Sequence, residues 1–361
     1  MRKRPEIWAP YRNWAKRYSP PKWDLAGSYV QPCTLEDVPG ALEAVELNDR
    51  NEDGYAPLVR ALARRYGTEP ENVLTAHGAT GAAFLALAAL IRPGDKVMVE
   101  WPSYDPIAGS VRLLGGEVVD ISREWSHEFA PDPDQIAQVV RHDIKAIVLT
   151  NPHDPTGVYT SKVELMEIGA LADAVGAKVI VDEVYLDALS GVDTAPAASL
   201  GDTFVSLNSL TKSYGLAGLR LGWMIADVDT TEKARAVRDL VEGPGPVPVE
   251  RMGVVALGQM DRLLERARAI LEPNLARLVS FVEGRSELAW VRPVGAVAFP
   301  RLEACDDADP FVRMAHDEFG VGVVPGSLFG YRQNFRVSVA GPPEVVEGGL
   351  EALERALDKG V

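Results

Sequence analysis

The sequence predicts an α/β protein in which a mostly parallel sheet, covered by helices, is joined to a smaller α+β unit. Three observations lead there. Between residues 72 and 182, short apolar runs alternate with helical stretches, the rhythm of strand–helix–strand units. Runs such as Ala146-Ile-Val-Leu and Val179-Ile-Val are apolar at successive positions, as strands buried on both faces require. The Gly/Pro-dense stretch Glu242-Gly-Pro-Gly-Pro-Val-Pro then interrupts the chain, and long amphipathic helices follow it.

In chain order, the pattern predicts strands at Asn72–His77, Lys96–Glu100, Glu117–Ile121, Lys145–Thr150 and Lys178–Asp182. Helices are expected between them at Thr80–Ile91, Ile107–Leu114, Pro133–Arg141 and Lys162–Val175. Thr203–Asn208 and Leu219–Ala226 follow without a full helix between them, so they are expected to pair like a hairpin within the sheet. Beyond the Gly/Pro break come helices over 250–285, strands near Trp290–Val291 and Ala296–Arg301, a helix near Pro310–Phe319, a strand Phe335–Ala340 and a last helix from Pro343. The expected division is a large unit over 41–245, with 1–40 and 246–361 forming an N-terminal arm and a small unit. At 361 residues the chain exceeds what one core ordinarily supports.

Composition excludes several classes of function. A net charge of −15 makes nucleic acid and anionic membranes poor partners. The longest apolar runs, such as Ala82–Ile91, are too short to span a bilayer. The two cysteines, Cys33 and Cys305, form no Cys-x-x-Cys pair and suit a reducing cytoplasm. The five histidines lack metal-type spacing, so no metal site is expected.

Four constellations carry chemistry. Thr75-Ala-His77-Gly78-Ala79-Thr80-Gly81 runs from strand into helix through small residues, and unpaired N–H groups at such a helix start attract phosphate. The same residues are also half a dinucleotide fingerprint, with Glu100 at the distance of a ribose-binding carboxylate, or a turn with no ligand. Against the fingerprint, Phe84 stands where a third glycine belongs. Val179-Ile-Val-Asp182-Glu183-Val-Tyr185 ends an apolar strand in a carboxylate, which calls for a cation such as a protonated pyridine nitrogen, or else serves as a cap or salt bridge. In Ser206-Leu-Asn-Ser209-Leu-Thr-Lys212, followed through to Arg220, a lysine lies among small residues between two apolar strands. Desolvation there would lower its pKa, as a Schiff-base nucleophile requires; the plain alternative is a solvated surface lysine. Lastly, Asn151-Pro-His-Asp154-Pro155-Thr-Gly157 forms a rigid turn directly after a strand.

In this order and spacing the four resemble fold-type-I pyridoxal-phosphate enzymes, the aspartate-aminotransferase-like superfamily of class I/II aminotransferases. The resemblance runs from about Leu25 to the end and is most specific at Asp182-Glu-x-Tyr185 and Ser209-x-x-Lys212 to Arg220. It implies pyridoxal 5′-phosphate as cofactor, an amino acid and a 2-oxo acid as substrates, and a homodimer. By resemblance, Lys212 carries the cofactor as a Schiff base and moves the substrate's α-proton. Asp182 pairs with the pyridine nitrogen, Tyr185 bonds its phenolic oxygen, and Tyr104 stacks on its ring. Ala79, Thr80, Ser209 and Arg220 hold the phosphate, and Arg336 grips the substrate α-carboxylate.

The chain departs from the family pattern twice. Asp154 stands where the family turn offers an asparagine amide to the phenolic oxygen. It is expected to be ionised and to raise the pKa of the Schiff base; the alternative is a protonated carboxyl that donates as the amide would. The tyrosine that the family sends across the dimer to the phosphate is missing before Gly54, with Arg50 as its possible substitute. Transamination is therefore the expected reaction. A lyase, decarboxylase or replacement catalyst on the same fold is the alternative, and a nicotinamide-dependent oxidoreductase a remote one. Trp8, Trp14 and Trp23 are expected mainly to anchor the arm, with a lid over the pocket as the second reading.

Overall fold

The computed structural model describes residues 9–303 and 305–360. A seven-stranded sheet forms the centre: β1 (Val73–His77), β2 (Lys96–Trp101), β3 (Glu117–Ser122), β4 (Ile144–Thr150), β5 (Lys178–Asp182), β6 (Phe204–Ser209) and β7 (Leu221–Ile225). Their order across the sheet is β1-β7-β6-β5-β4-β2-β3. Only β7 runs against its neighbours, pairing antiparallel with both β1 and β6. The expected hairpin-like pair is therefore present, and the sheet is otherwise parallel.

Register brings the chemistry to one edge. Thr150 of β4 lies level with Asp182 of β5, and Asp182 with Leu207 of β6. Because β1 runs parallel to β6, His77 and the helix start that follows it reach the same edge. That helix begins at Gly78, two residues before its expected start, and runs to Leu90. Its sequence is apolar nearly all round because the helix is covered on more than one side. Two glycines permit its close seating. A Cβ on Gly222 of β7 would stand 2.3 Å from the carbonyl carbon of Gly78. Gly78 itself has φ +70°, and a Cβ there would meet the Arg220 guanidinium at 2.5 Å.

After the Gly/Pro break, helices Val247–Leu257 and Met260–Glu283 lead to an antiparallel trio, Val297–Ala298, Phe335–Ser338 and Val324–Pro325. The expected strands near 290 are displaced: Leu288–Ala289 pairs with Arg301–Leu302 instead. Helices Asp309–Phe319 and Pro343–Lys359 complete this part. The arm is tied to it. Trp23–Asp24 pairs parallel with Val321–Gly322, and the Trp23 ring lies against Gly348 of the last helix. Further on, Val30 N–H donates to the Lys212 carbonyl and Gln31 N–H to the Ala340 carbonyl. No described helix is long and apolar enough to cross a membrane.

Candidate active site

A cleft of about 1000 Å³ opens at the carboxyl edge of the sheet. It collects nine of the ten residues singled out from the sequence: Ala79, Thr80, Tyr104, Asp154, Asp182, Tyr185, Ser209, Lys212 and Arg220. At the phosphate-type end, Ala79 and Thr80 sit in the first turn of the thirteen-residue helix Gly78–Leu90, whose N–H groups point outward. Arg220 is held in the left-handed region, φ 52°, and its guanidinium reaches over Gly78 and to Thr211 Oγ1 at 3.5 Å. Ser209 ends β6 beside them.

Asp182 is buried at the end of β5, accepting one hydrogen bond, from Val184 N–H at 3.2 Å. Burial pushes its carboxyl up to about 6, against the opposing pull of that N–H and of Lys212. Lys212 donates to Ser28 Oγ at 2.6 Å, with its ammonium 5.3 Å from the centre of the Tyr185 ring. Burial pulls its pKa below the ordinary lysine range. Tyr185 is raised well above a free phenol, by burial first and by Asp154 next.

The tenth residue, Arg336, does not line the cleft. It is buried behind Asp154, with Nη1 on Asp154 Oδ1 at 2.8 Å. Nη2 donates to Tyr11 Oη at 2.9 Å and to the Ala26 carbonyl at 3.2 Å, while Nε has no partner among the described residues. The rings of Tyr11 and Phe329 lie 5.0 and 5.4 Å from its guanidinium. Asp154 also accepts from Tyr185 O–H at 3.5 Å, so one carboxylate bridges the two side chains.

Sequence reading missed the arm's share of the site. Tyr11, Ala26 and Ser28 all line the cleft, together with Arg12 and Trp14 of the helix Pro10–Arg17. Tyr11 is positioned by its backbone N–H, which donates to Asp105 Oδ2 at 2.8 Å. Its ring packs on Trp14, Tyr104 and Phe329. The aromatic density of the arm was the available signal, but it does not say which ring faces the cleft. The anchor and lid readings divide between residues: Trp23 anchors, Trp14 borders the cleft, and Trp8 lies outside the described residues.

The dinucleotide reading is corrected here. Glu100 is buried and paired with Arg123 Nη1 at 2.8 Å, and its other oxygen accepts from both Thr150 N–H and Thr150 Oγ. Thr150 Oγ1 in turn accepts from Asp154 N–H, so Glu100 shapes the turn from beneath and has no free oxygen for a ribose. Arg50, proposed for a phosphate, projects into solvent with 91% of its side chain exposed and is absent from the cleft of its own chain.

A lysine, a strand-end carboxylate and a helix start around one cleft define a site for an aldehyde cofactor bearing a phosphate and a protonatable ring nitrogen. Residues 50–353 match the Aminotransferase class I and II family, and the chain belongs to it. It is 30% identical to the capreomycidine synthase of Streptomyces vinaceus, over 97% of this chain and 93% of that one. A PLP-dependent aminotransferase from Streptococcus suis superposes with a TM-score of 0.92 at 29% identity, covering 99% of both chains. A PLP-dependent cyclase, OrfR, superposes at 0.89 and 28% identity over the full length of both. The fold is that of the type-I pyridoxal-phosphate enzymes, and the cofactor is pyridoxal 5′-phosphate. The residues present suit it: the N-terminal turn of the helix Gly78–Leu90 and the guanidinium of Arg220, which the missing side chains of Gly222 and Gly78 bring together at the cleft, and the buried Asp182, which forms no ion pair among the described residues.

Proposed function

We propose that the protein moves an amino group between an L-amino acid and a 2-oxo acid. The observation that carries this reading is Lys212, buried on Ser28 within the same cleft as Asp182. When bound to Lys212 as a Schiff base, pyridoxal phosphate supplies an electron sink for the pair left at the substrate α-carbon. Everything else falls to the chain. Ala79, Thr80, Ser209 and Arg220 hold the phosphate; Arg220 suits this because its fork makes paired charge-assisted bonds. Asp182 would keep the pyridine nitrogen protonated, Tyr104 would stack on the ring, and Tyr185, whose hydroxyl reaches Asp154 in the cleft, would donate to its phenolic oxygen. Lys212, with a lowered pKa, takes the α-proton and returns it one atom away. Arg336 binds the α-carboxylate, which must first displace Asp154 from Nη1.

A second reading has its own support: the same start of reaction leading to loss or exchange of a side-chain substituent. Asp154 brings a carboxylate where an amide would serve simple transamination, and the chain's full-length likeness extends to proteins named as a synthase and a cyclase as well as to aminotransferases. Incubating holoenzyme with single amino acids decides between the two. Accumulation of the pyridoxamine form supports transfer; ammonia release or a rearranged product without it supports the second reading.

We also infer a cytoplasmic homodimer. The free cysteines suit a reducing compartment. Leu42, Leu47, Leu240 and Val241 are exposed apolar side chains that a second copy would cover, and Val241 directly precedes the cleft residue Glu242. Sedimentation showing a fully active monomer would contradict this.

A further inference from the structure

Transamination needs one mobile proton, and Lys212 supplies it. The cleft holds a second group with a proton to give. Tyr11 Oη accepts from Arg336 Nη2 at 2.9 Å, and because a guanidinium only donates, the phenol's own hydrogen remains free. That hydrogen has no acceptor among the described residues, although the side chain is largely buried and borders the cleft. The ring is fixed by Trp14, Tyr104 and Phe329 and the backbone by Asp105, so the hydroxyl is held beside the arginine assigned to the α-carboxylate. An amino acid held between Arg336 and Lys212 would fill the cleft space that this hydroxyl borders.

The geometry points to Tyr11 as a catalytic acid that protonates a group leaving the substrate β-carbon, giving the enzyme a β-elimination and β-replacement activity. This rests on the Lys212 chemistry proposed above. The step balances without an outside oxidant. Lys212 removes the α-proton, and the electron pair it leaves forms a double bond between the α- and β-carbons. The bond from the β-carbon to its oxygen substituent breaks with its own pair, and that oxygen takes the Tyr11 proton and departs as water or an alcohol. The phenolate is reprotonated by solvent or by the O–H or N–H of a nucleophile that adds to the β-carbon. Arg336 stabilises the phenolate meanwhile. In keeping with this, although burial raises the Tyr11 pKa, Arg336 and Lys212 outweigh it and the net shift is downward.

The test compares leaving groups. Chloride departs without a proton and hydroxide does not, so β-chloro-L-alanine and L-serine share a skeleton but differ in their need for an acid. In Tyr11→Phe holoenzyme, which keeps the ring packing, pyruvate release from L-serine should fall about 100-fold or more. Release from β-chloro-L-alanine, and exchange of the α-hydrogen in D2O, should fall only by what the loss of one acceptor on Arg336 costs, so the ratio of serine to β-chloroalanine rates should drop at least about 10-fold. In the cofactor-free protein, difference absorbance against pH should lose its earliest-ionising tyrosine in the variant. Equal slowing of both substrates makes Tyr11 a positioning residue and overturns the proposal. An unchanged tyrosine titration overturns it, as does a wild type that exchanges the α-hydrogen but releases no pyruvate from L-serine. Failure of the wild type to exchange at all overturns the Lys212 reading, and this one with it.

Discussion

Two regions meet at Lys212, and they are held by different means. On one side, the carboxyl edge of the sheet places Thr150, Asp182 and Ser209 through strand register, so each position follows from continuous backbone pairing. On the other, the N-terminal arm brings Tyr11, Ala26 and Ser28 to the same cluster through isolated contacts: one N–H on Asp105, one carbonyl on Arg336, one hydroxyl on Lys212. The edge belongs to the core and moves only if the sheet does. The arm's helix can shift by breaking a few bonds, so groups supplied by the arm should tune the reaction that the edge performs.

The largest effect is expected on the edge. Lys212→Ala should reduce turnover by at least about 10³-fold, since it removes both the covalent anchor and the proton carrier. Borohydride should no longer fix the cofactor to the chain. A variant that still retains cofactor after reduction and denaturation would place the linkage on another residue.

Next comes the junction between the regions. Arg336 and Asp154 form a buried pair, and removing one member strands the other. Arg336→Gln should cost roughly 3–5 kcal/mol of stability, read in urea, and should raise KM for the amino acid. Asp154→Asn should cost less, because the amide oxygen still accepts from Arg336. The same variant tests the charge beside the phenolic oxygen. Titrated by absorbance, its Schiff base should lose its proton at lower pH than in wild type. An unchanged midpoint would mean that the Asp154 charge does not reach the ring.

The edge was legible in the sequence and the arm was not, for a physical reason. Asp182, Ser209, Lys212 and Arg220 stand at strand ends, where alternation of apolar runs and turns already fixes direction and depth. Nothing local in Tyr-Arg-Asn-Trp says that Tyr11 will rest on Arg336, a partner 325 positions away. Glu100 was legible as a strand-end carboxylate, but its role beneath the turn was not, because its partner Arg123 lies beyond a helix and a further strand. Arg336 was found as a residue but not as a covered one: its screening by Asp154 and Tyr11 depends on side chains from three separate segments.

A third prediction uses the buried charge at the edge. An unfolded aspartate titrates near 3.9, whereas Asp182 in the folded, cofactor-free chain is pushed up to about 6. Between those values the folded state holds the extra proton, so stability is greatest at low pH in this window. It falls as pH rises toward about 6 and stays lost above, by a contribution on the order of 3 kcal/mol. Asp182→Asn should flatten that slope and raise Tm of the apoprotein near neutrality, while weakening cofactor retention. An apoprotein whose slope across this window is the same with and without Asp182 would show that the carboxyl is solvated.

The smallest expected effect lies on the arm's side of Lys212. Ser28 Oγ accepts from the ammonium at 2.6 Å inside a buried cluster. Removing that acceptor leaves the charged amine one partner short while the neutral amine loses less, so Ser28→Ala should lower the Lys212 pKa further. A hydrogen bond to a charged group contributes about 1.5–3 kcal/mol at most, and water entering the vacated space offsets part of it, so a displacement of roughly one pH unit is expected. The readout is the rate at which apoprotein recaptures pyridoxal phosphate as a function of pH, which follows the fraction of neutral Lys212. Its midpoint should move to lower pH in Ser28→Ala, with the plateau rate little changed. A midpoint that moves up, or a loss of plateau rate alone, would mean that Ser28 orders the arm and leaves the Lys212 charge to the sheet edge.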